Sequence, residues 1–149
     1  MKYEKIIFVS RDGTYRAPVS AAIMKKCIGT TAKVESRGLV VLFPEPINPK
    51  AVTAAISHGY SITQSVSEML TEQDFNIDTL ILVMTEKIKQ QIYDNFKSAL
   101  NVYSLKEFAG GQGDIESPFG RGVEEYMENF EQLDEWVKKA AELLESDEA

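Results

Sequence analysis

Seven consecutive residues near the amino terminus, Ser10-Arg11-Asp12-Gly13-Thr14-Tyr15-Arg16, have the types that recognition of a small anion requires. The run follows a short apolar stretch, Ile6-Ile7-Phe8-Val9, and leads into apolar positions at helical spacing, Val19, Ala22, Ile23 and Cys27. A loop between a buried strand and a helix aims several backbone N–H groups at one anion, and the helix adds unpaired first-turn donors and its positive dipole end. Arg16 supplies a planar fork matched to phosphate oxygens; the competing reading is a structural arginine that satisfies loop carbonyls. Ser10 is a hydroxyl for which the pattern positions no histidine, lysine or carboxylate as a base. Asp12 would repel an anion unless its carboxylate points outward. Thr14 is open to two readings, an oxyanion contact or an ordinary loop residue.

Other chemistry is poorly represented. Cys27 is the lone cysteine, so it makes no internal disulfide, and it reads as a small buried hydrophobe on the first helix. His58, beside Gly59, reads as a helix-end residue rather than a ligand. No spacing of Cys, His and carboxylates forms a metal site, and the Lys-Ser/Thr ending of a nucleotide-binding P-loop is missing, so no metal or other cofactor is expected. A net charge of -7, with the acidic excess largely in the last third, disfavours a nucleic-acid or acidic-membrane surface while leaving room for a local basic pocket. The apolar opening segment is too short for a signal-peptide core or a spanning helix, which predicts a cytoplasmic protein with no membrane partner.

The elements that must hold the loop follow from periodicity. Lys5 to Val9 reads as a buried strand, continuous in β-branched and aromatic residues, and the loop leads from it into a first helix. Lys33 to Ser36 and Val40 to Phe43 are two candidates for the second strand, with Ser36-Arg37-Gly38 as a turn between them. Three prolines in the six residues from Pro44 to Pro49 exclude a regular interior element there. Asn48-Pro49 then caps a helix that stops at His58-Gly59. Thr71 to Asp74 resembles a capping box, Thr79 to Met84 is a strand apolar on both faces, Thr85 caps a helix through Asn95, and Leu100 to Ser104 makes a last short strand. Phe108 to Gly122, with five glycines, is a long loop. Tyr126, Phe130, Leu133, Val137, Ala140, Ala141 and Leu144 mark the closing helix as a core-packing stripe, and residues 145–149 are expected to fray. At 149 residues the chain suits a single domain, and alternating strands and helices make it α/β with a parallel sheet.

The stretch from Ile6 to Ala22 resembles the signature of the low-molecular-weight protein tyrosine phosphatases, a family related to arsenate reductases and protein-arginine phosphatases. Its nucleophilic cysteine, five intervening residues and arginine fall on Ser10 and Arg16, and its following serine and proline on Ala17 and Pro18. Ser36-Arg37-Gly38 is similar to the family's Ser-Ala-Gly turn, His58-Gly59 through Leu70 to Asp74 to its middle segment, and Leu80 to Met84 to its third strand. Ser117-Pro118-Phe119-Gly120 is similar to its late Asp-Pro-Phe-Gly loop. These matches span nearly the whole chain in order. They imply a three-layer α/β/α domain over residues 1–149, with a four-stranded parallel sheet of order 2-1-3-4 and about five helices.

The departures fall on the chemistry. The resemblance puts Ser10 at the nucleophile position and Ser117 at the general-acid position, where it cannot protonate a leaving group near neutral pH. Ala17 replaces a hydroxyl, and Gly13 replaces an asparagine that ties the loop into shape. What remains is an anion cradle, Arg16 with the backbone from Arg11 through Asp12, Gly13 and Thr14 to Tyr15. Phe119 matches a pocket-wall aromatic, with Tyr15 and Phe43 as further candidates. The expected ligand is inorganic phosphate, another oxyanion, or a phosphorylated protein or peptide, bound by a catalytically impaired or inactive member. Two alternatives stay open: an active phosphotyrosine or phosphoarginine phosphatase with Ser10 as nucleophile and Glu116 or Asp114 as acid, and an interaction protein with a vestigial pocket.

Overall fold

In the computed structural model, which describes residues 1–146, a parallel sheet of four strands runs in the order β2-β1-β3-β4. β1 (Lys5–Ser10), β2 (Lys33–Gly38), β3 (Thr79–Val83) and β4 (Val102–Ser104) are followed respectively by α1 (Arg16–Ile28), α2 (Pro49–Ser57), α3 (Glu86–Asn95) and α4 (Leu105–Phe108), and α5 (Val123–Ser146) comes after them. Helices cover both faces of the sheet, giving the expected three layers: α1 packs on β1 and β2 and against α5 and α2, and α3 packs on β3 and β4. Ile6 to Val9 of β1 and Leu80 to Val83 of β3 have no exposed surface. Each such side chain contributes roughly 1.5–3 kcal/mol by leaving water. Those continuous apolar runs belong at the centre of a sheet buried on both faces.

Local chemistry sets the helix starts. The Asn48 Oδ1 accepts from the Lys50 N–H at 2.9 Å with Pro49 in the first turn, and the Thr85 Oγ1 accepts from the Ile88 N–H at 3.1 Å. Thr71 and Asp74 form a reciprocal box around a short 3-10 turn. A further box, between Ser104 and Glu107, starts α4 where the sequence suggested only the approach to a loop. All seven expected stripe positions of α5 are buried, from Tyr126 to Leu144.

The second strand corrects the sequence reading. Ser36, Arg37 and Gly38 are not a turn; they continue β2 and pair with Phe8, Val9 and Ser10 of β1. Val40 to Phe43 is not a strand, and Leu42 and Phe43 are exposed. Arg37 tolerates its strand position because carboxylates surround it, with Glu35 at 2.6 Å, Asp74 at 3.4 Å and Glu68 at 3.4 Å. Gly38 is demanded by crowding, since a Cβ there would lie 2.6 Å from the Asp12 carbonyl oxygen. The last strand starts at Val102 rather than Leu100, after Asn101 takes a left-handed φ of 57°. The fraying expected for residues 145–149 falls mostly outside the described residues; α5 is continuous to Ser146.

Candidate functional site

The loop leaving β1 is clamped from below. The Leu39 N–H donates to the Ser10 carbonyl at 2.9 Å, the Val40 N–H to the Arg11 carbonyl at 2.8 Å, and the Asn48 N–H to the Thr14 carbonyl at 3.0 Å. Gly13 turns the chain at φ 74°, and a Cβ there would come within 2.7 Å of the Gly38 nitrogen. Two glycines thus let the loop and the end of β2 interlock.

Ser10 ends β1 with 1% of its surface exposed, and its Oγ accepts from the Gly13 N–H at 3.2 Å. An N–H directed at this oxygen favours negative charge on it, yet among the described residues no basic atom is bonded to it to take its proton. The Asp12 Oδ1 accepts from the Thr14 N–H at 3.0 Å and from the Thr14 Oγ1 at 2.9 Å. Arg16, the first residue of α1, is buried, and its Nη1 donates to the Ile115 carbonyl at 2.8 Å. The structural role weighed for Arg16 is therefore real, and it uses one of the guanidinium's five N–H donors. Burial pushes the Arg16 pKa down, while the charges of Asp12 and Glu116 act to hold it up. Ala17, in the fully buried first turn, offers the loop no hydroxyl.

Above the loop lies a cleft of about 430 Å³. Arg11, Asp12, Thr14, Tyr15 and Arg16 line it on one side, and Ser117, Pro118 and Phe119 on the other. The chain leading into the far wall is fixed: the Ile115 N–H donates to the Met84 carbonyl at 2.9 Å, and the Asn129 side chain donates to the Glu116 carbonyl at 2.6 Å. The Ser117 Oγ accepts from the Phe119 N–H at 3.2 Å. Phe119 stands 80% exposed at the rim.

Several sequence candidates sit elsewhere. Ser10 and Gly13 are buried and contribute nothing to the lining. Phe43 is 69% exposed on the segment after β2 and is not on the cleft wall. The Asp114 Oδ1 accepts from the Glu86 N–H at the start of α3 at 2.8 Å. Asp114 and Glu116 line a separate depression that shares only Ser117 and Pro118 with the cleft.

Sequence reading missed Asn48 and Tyr126 as wall residues. Each carries a second duty that masked it. Asn48 reads as a helix cap and is one, whereas Tyr126 reads as one member of the buried stripe. The Tyr126 ring meets Tyr15 edge-on at 5.1 Å, with the Lys50 ammonium over it at 4.4 Å. Burial, with Tyr126 adding, pushes the Tyr15 pKa up to about 12, so the Tyr15 hydroxyl is neutral at physiological pH. Tyr15 and Tyr126 also border a larger apolar groove of about 640 Å³ between α2 and α5.

Comparisons with known proteins identify the family and the fold. The family model described as low molecular weight phosphotyrosine protein phosphatase matches residues 5–149. The chain is 33% identical over 129 residues to the low molecular weight protein-tyrosine-phosphatase PtpB of Staphylococcus haemolyticus, covering 87% of this chain and 91% of that one. It is 31% identical over 147 residues to the protein-arginine-phosphatase of Bacillus subtilis, covering 95% and 97%. Among solved structures, a cysteine-to-serine mutant of YwlE arginine phosphatase with a phosphorylated active-site serine has a TM-score of 0.85 at 31% identity, covering 96% of this chain and 97% of that one.

Proposed function

The chain belongs to the low molecular weight phosphotyrosine protein phosphatase family, and from that premise we propose that it is one phosphatase-like domain that binds phosphate or a phosphorylated protein without efficient turnover. The observation that supports this reading is a cleft lined by Arg16 and its loop and by Ser117, with a buried serine, Ser10, at the position to which the family resemblance gives the nucleophile. Ser10 is neutral at physiological pH, so it does not repel a bound phosphate as a thiolate would. No carboxylate from the late loop lines the cleft to protonate a leaving group. The barrier to uncatalysed phosphate-monoester hydrolysis is so large that binding alone does not make an enzyme. The test is calorimetric titration with a phosphotyrosine peptide, with Arg16→Ala as control.

A second reading keeps Ser10 chemically competent for half a reaction. It is supported by the phosphorylated serine in the active site of the related YwlE mutant. With phosphoarginine, the Ser10 Oγ–P bond would form as the P–N bond breaks, and the hydroxyl proton would leave with the guanidine nitrogen. The P–N bond breaks only as that nitrogen takes the proton, and without a carboxylate to activate water the phosphoserine would persist. A phosphoryl-sized mass increase on intact protein, absent in Ser10→Ala, distinguishes this reading from simple binding.

A further inference from the structure

An anion site is an awkward place for a carboxylate, yet Asp12 lines the cleft beside Thr14 and Arg16. Three donors of the loop already have acceptors within it. Asp12 Oδ1 holds both the N–H and the hydroxyl of Thr14, at 3.0 Å and 2.9 Å, and the Gly13 N–H is held by the Ser10 Oγ at 3.2 Å. Among the described residues no lysine or arginine forms an ion pair with Asp12 to cancel its charge. Its charge is felt at Arg16, where it opposes the effect of burial. Asp12 therefore gives Thr14 what a phosphate oxygen would give it, an anionic acceptor for two donors.

Resting on the phosphate-binding reading above, we propose that Asp12 is the specificity residue of this cleft, a built-in competitor for the loop's donors that penalises ligands according to their negative charge. Inorganic phosphate and phosphotyrosine bring an uncompensated dianion and must either displace Asp12 from Thr14 or bind beside a like charge. A phosphoryl group carried on a cationic nitrogen, as in phosphoarginine, brings its own positive charge. The cleft thus prefers a phosphoguanidinium to a phosphomonoester for reasons of charge, before any contact with the rest of the ligand.

Asp12→Asn separates charge from shape, because its amide oxygen still accepts from Thr14. In calorimetry with inorganic phosphate, phosphotyrosine and phosphoarginine, Asp12→Asn should tighten the first two about tenfold and phosphoarginine much less. In the unaltered protein, raising the salt concentration should shrink the preference for phosphoarginine. The proposal is overturned if Asp12→Asn leaves the affinities unchanged or shifts all three by one factor. If the unaltered protein binds and Asp12→Asn changes nothing, only the role of Asp12 fails. If neither protein binds any of the three, the phosphate-binding reading falls and takes this proposal with it.

Discussion

The Arg16 guanidinium donates to the Ile115 carbonyl at 2.8 Å, across 99 residues of sequence, and so ties the first turn of α1 to the loop that makes the opposite wall of the cleft. One side chain thereby serves the anion site and fixes the distance between its walls. Arg16→Ala should cost about 1–3 kcal/mol in urea denaturation, the range for stranding a buried acceptor. Arg16→Lys should recover part of that stability but not the binding, since an ammonium lacks the planar fork.

Restoring the two family residues tests whether the cradle is intact. Ser10→Cys places a sulfur where the Gly13 N–H points, favouring a thiolate. Ser117→Asp supplies a leaving-group acid on the facing wall. The double variant should hydrolyse an aryl phosphate at least about 100-fold faster than Ser10→Cys alone. Equal rates, with an unchanged fold by circular dichroism, would show that position 117 does not reach the leaving group.

Gly38→Ala should destabilise the protein by about 1–3 kcal/mol and weaken phosphate binding together. Its Cβ would lie 2.5 Å from the Asp12 carbonyl carbon, a backbone atom that moves only if the loop moves. Gly29→Ala is the control: it has a positive φ, 59°, which Gly38 lacks, and nothing lies within 4 Å of its added Cβ. It should cost stability without touching binding.

Phe119→Ala should weaken a phosphotyrosine peptide and leave inorganic phosphate unaffected. The ring is at the rim, 80% exposed, where it can meet an aryl group but not the phosphoryl oxygens held below. A loss of about 0.5–1.5 kcal/mol, read by calorimetry, is the expected size for an aromatic contact.

Acid should unfold the protein partly through Glu35. Burial acts to raise its pKa, but the hydrogen bond and charge of Arg37, with Lys5, outweigh burial and hold it below the usual carboxylate range. A depressed folded pKa gives stability that is complete above the unfolded value and is lost as pH falls through the folded one, which for Glu35 lies below the ordinary glutamate range. Thermal melts from pH 7 to pH 3 should show a smaller drop for Glu35→Gln than for the unaltered chain.

Much of the frame was legible in sequence because its signals are local. Continuous apolar runs mark β1 and β3, side-chain caps at Asn48 and Thr85 mark helix starts, and a helical stripe marks α5. The end of β2 was not legible, because Ser36-Arg37-Gly38 has turn-like composition and becomes strand only where Glu35, Asp74 and Glu68 meet Arg37 and the loop crowds Gly38. The Ser10 to Arg16 loop was legible as a unit, from its place between strand and helix. Tyr126 was hidden by its periodicity, which reports burial and not the end of the helix that borders a cleft. Phe43 was placed at the cleft by residue type alone, and the path of the chain after β2 takes it elsewhere.

The central claim, binding through Arg16 without turnover, is tested most directly by titrating a phosphotyrosine peptide in a calorimeter while assaying the same cell for free phosphate. The account predicts a saturable heat that disappears in Arg16→Ala and no accumulating phosphate. Sustained heat with steady phosphate release from the unaltered protein would contradict it and make the chain an enzyme.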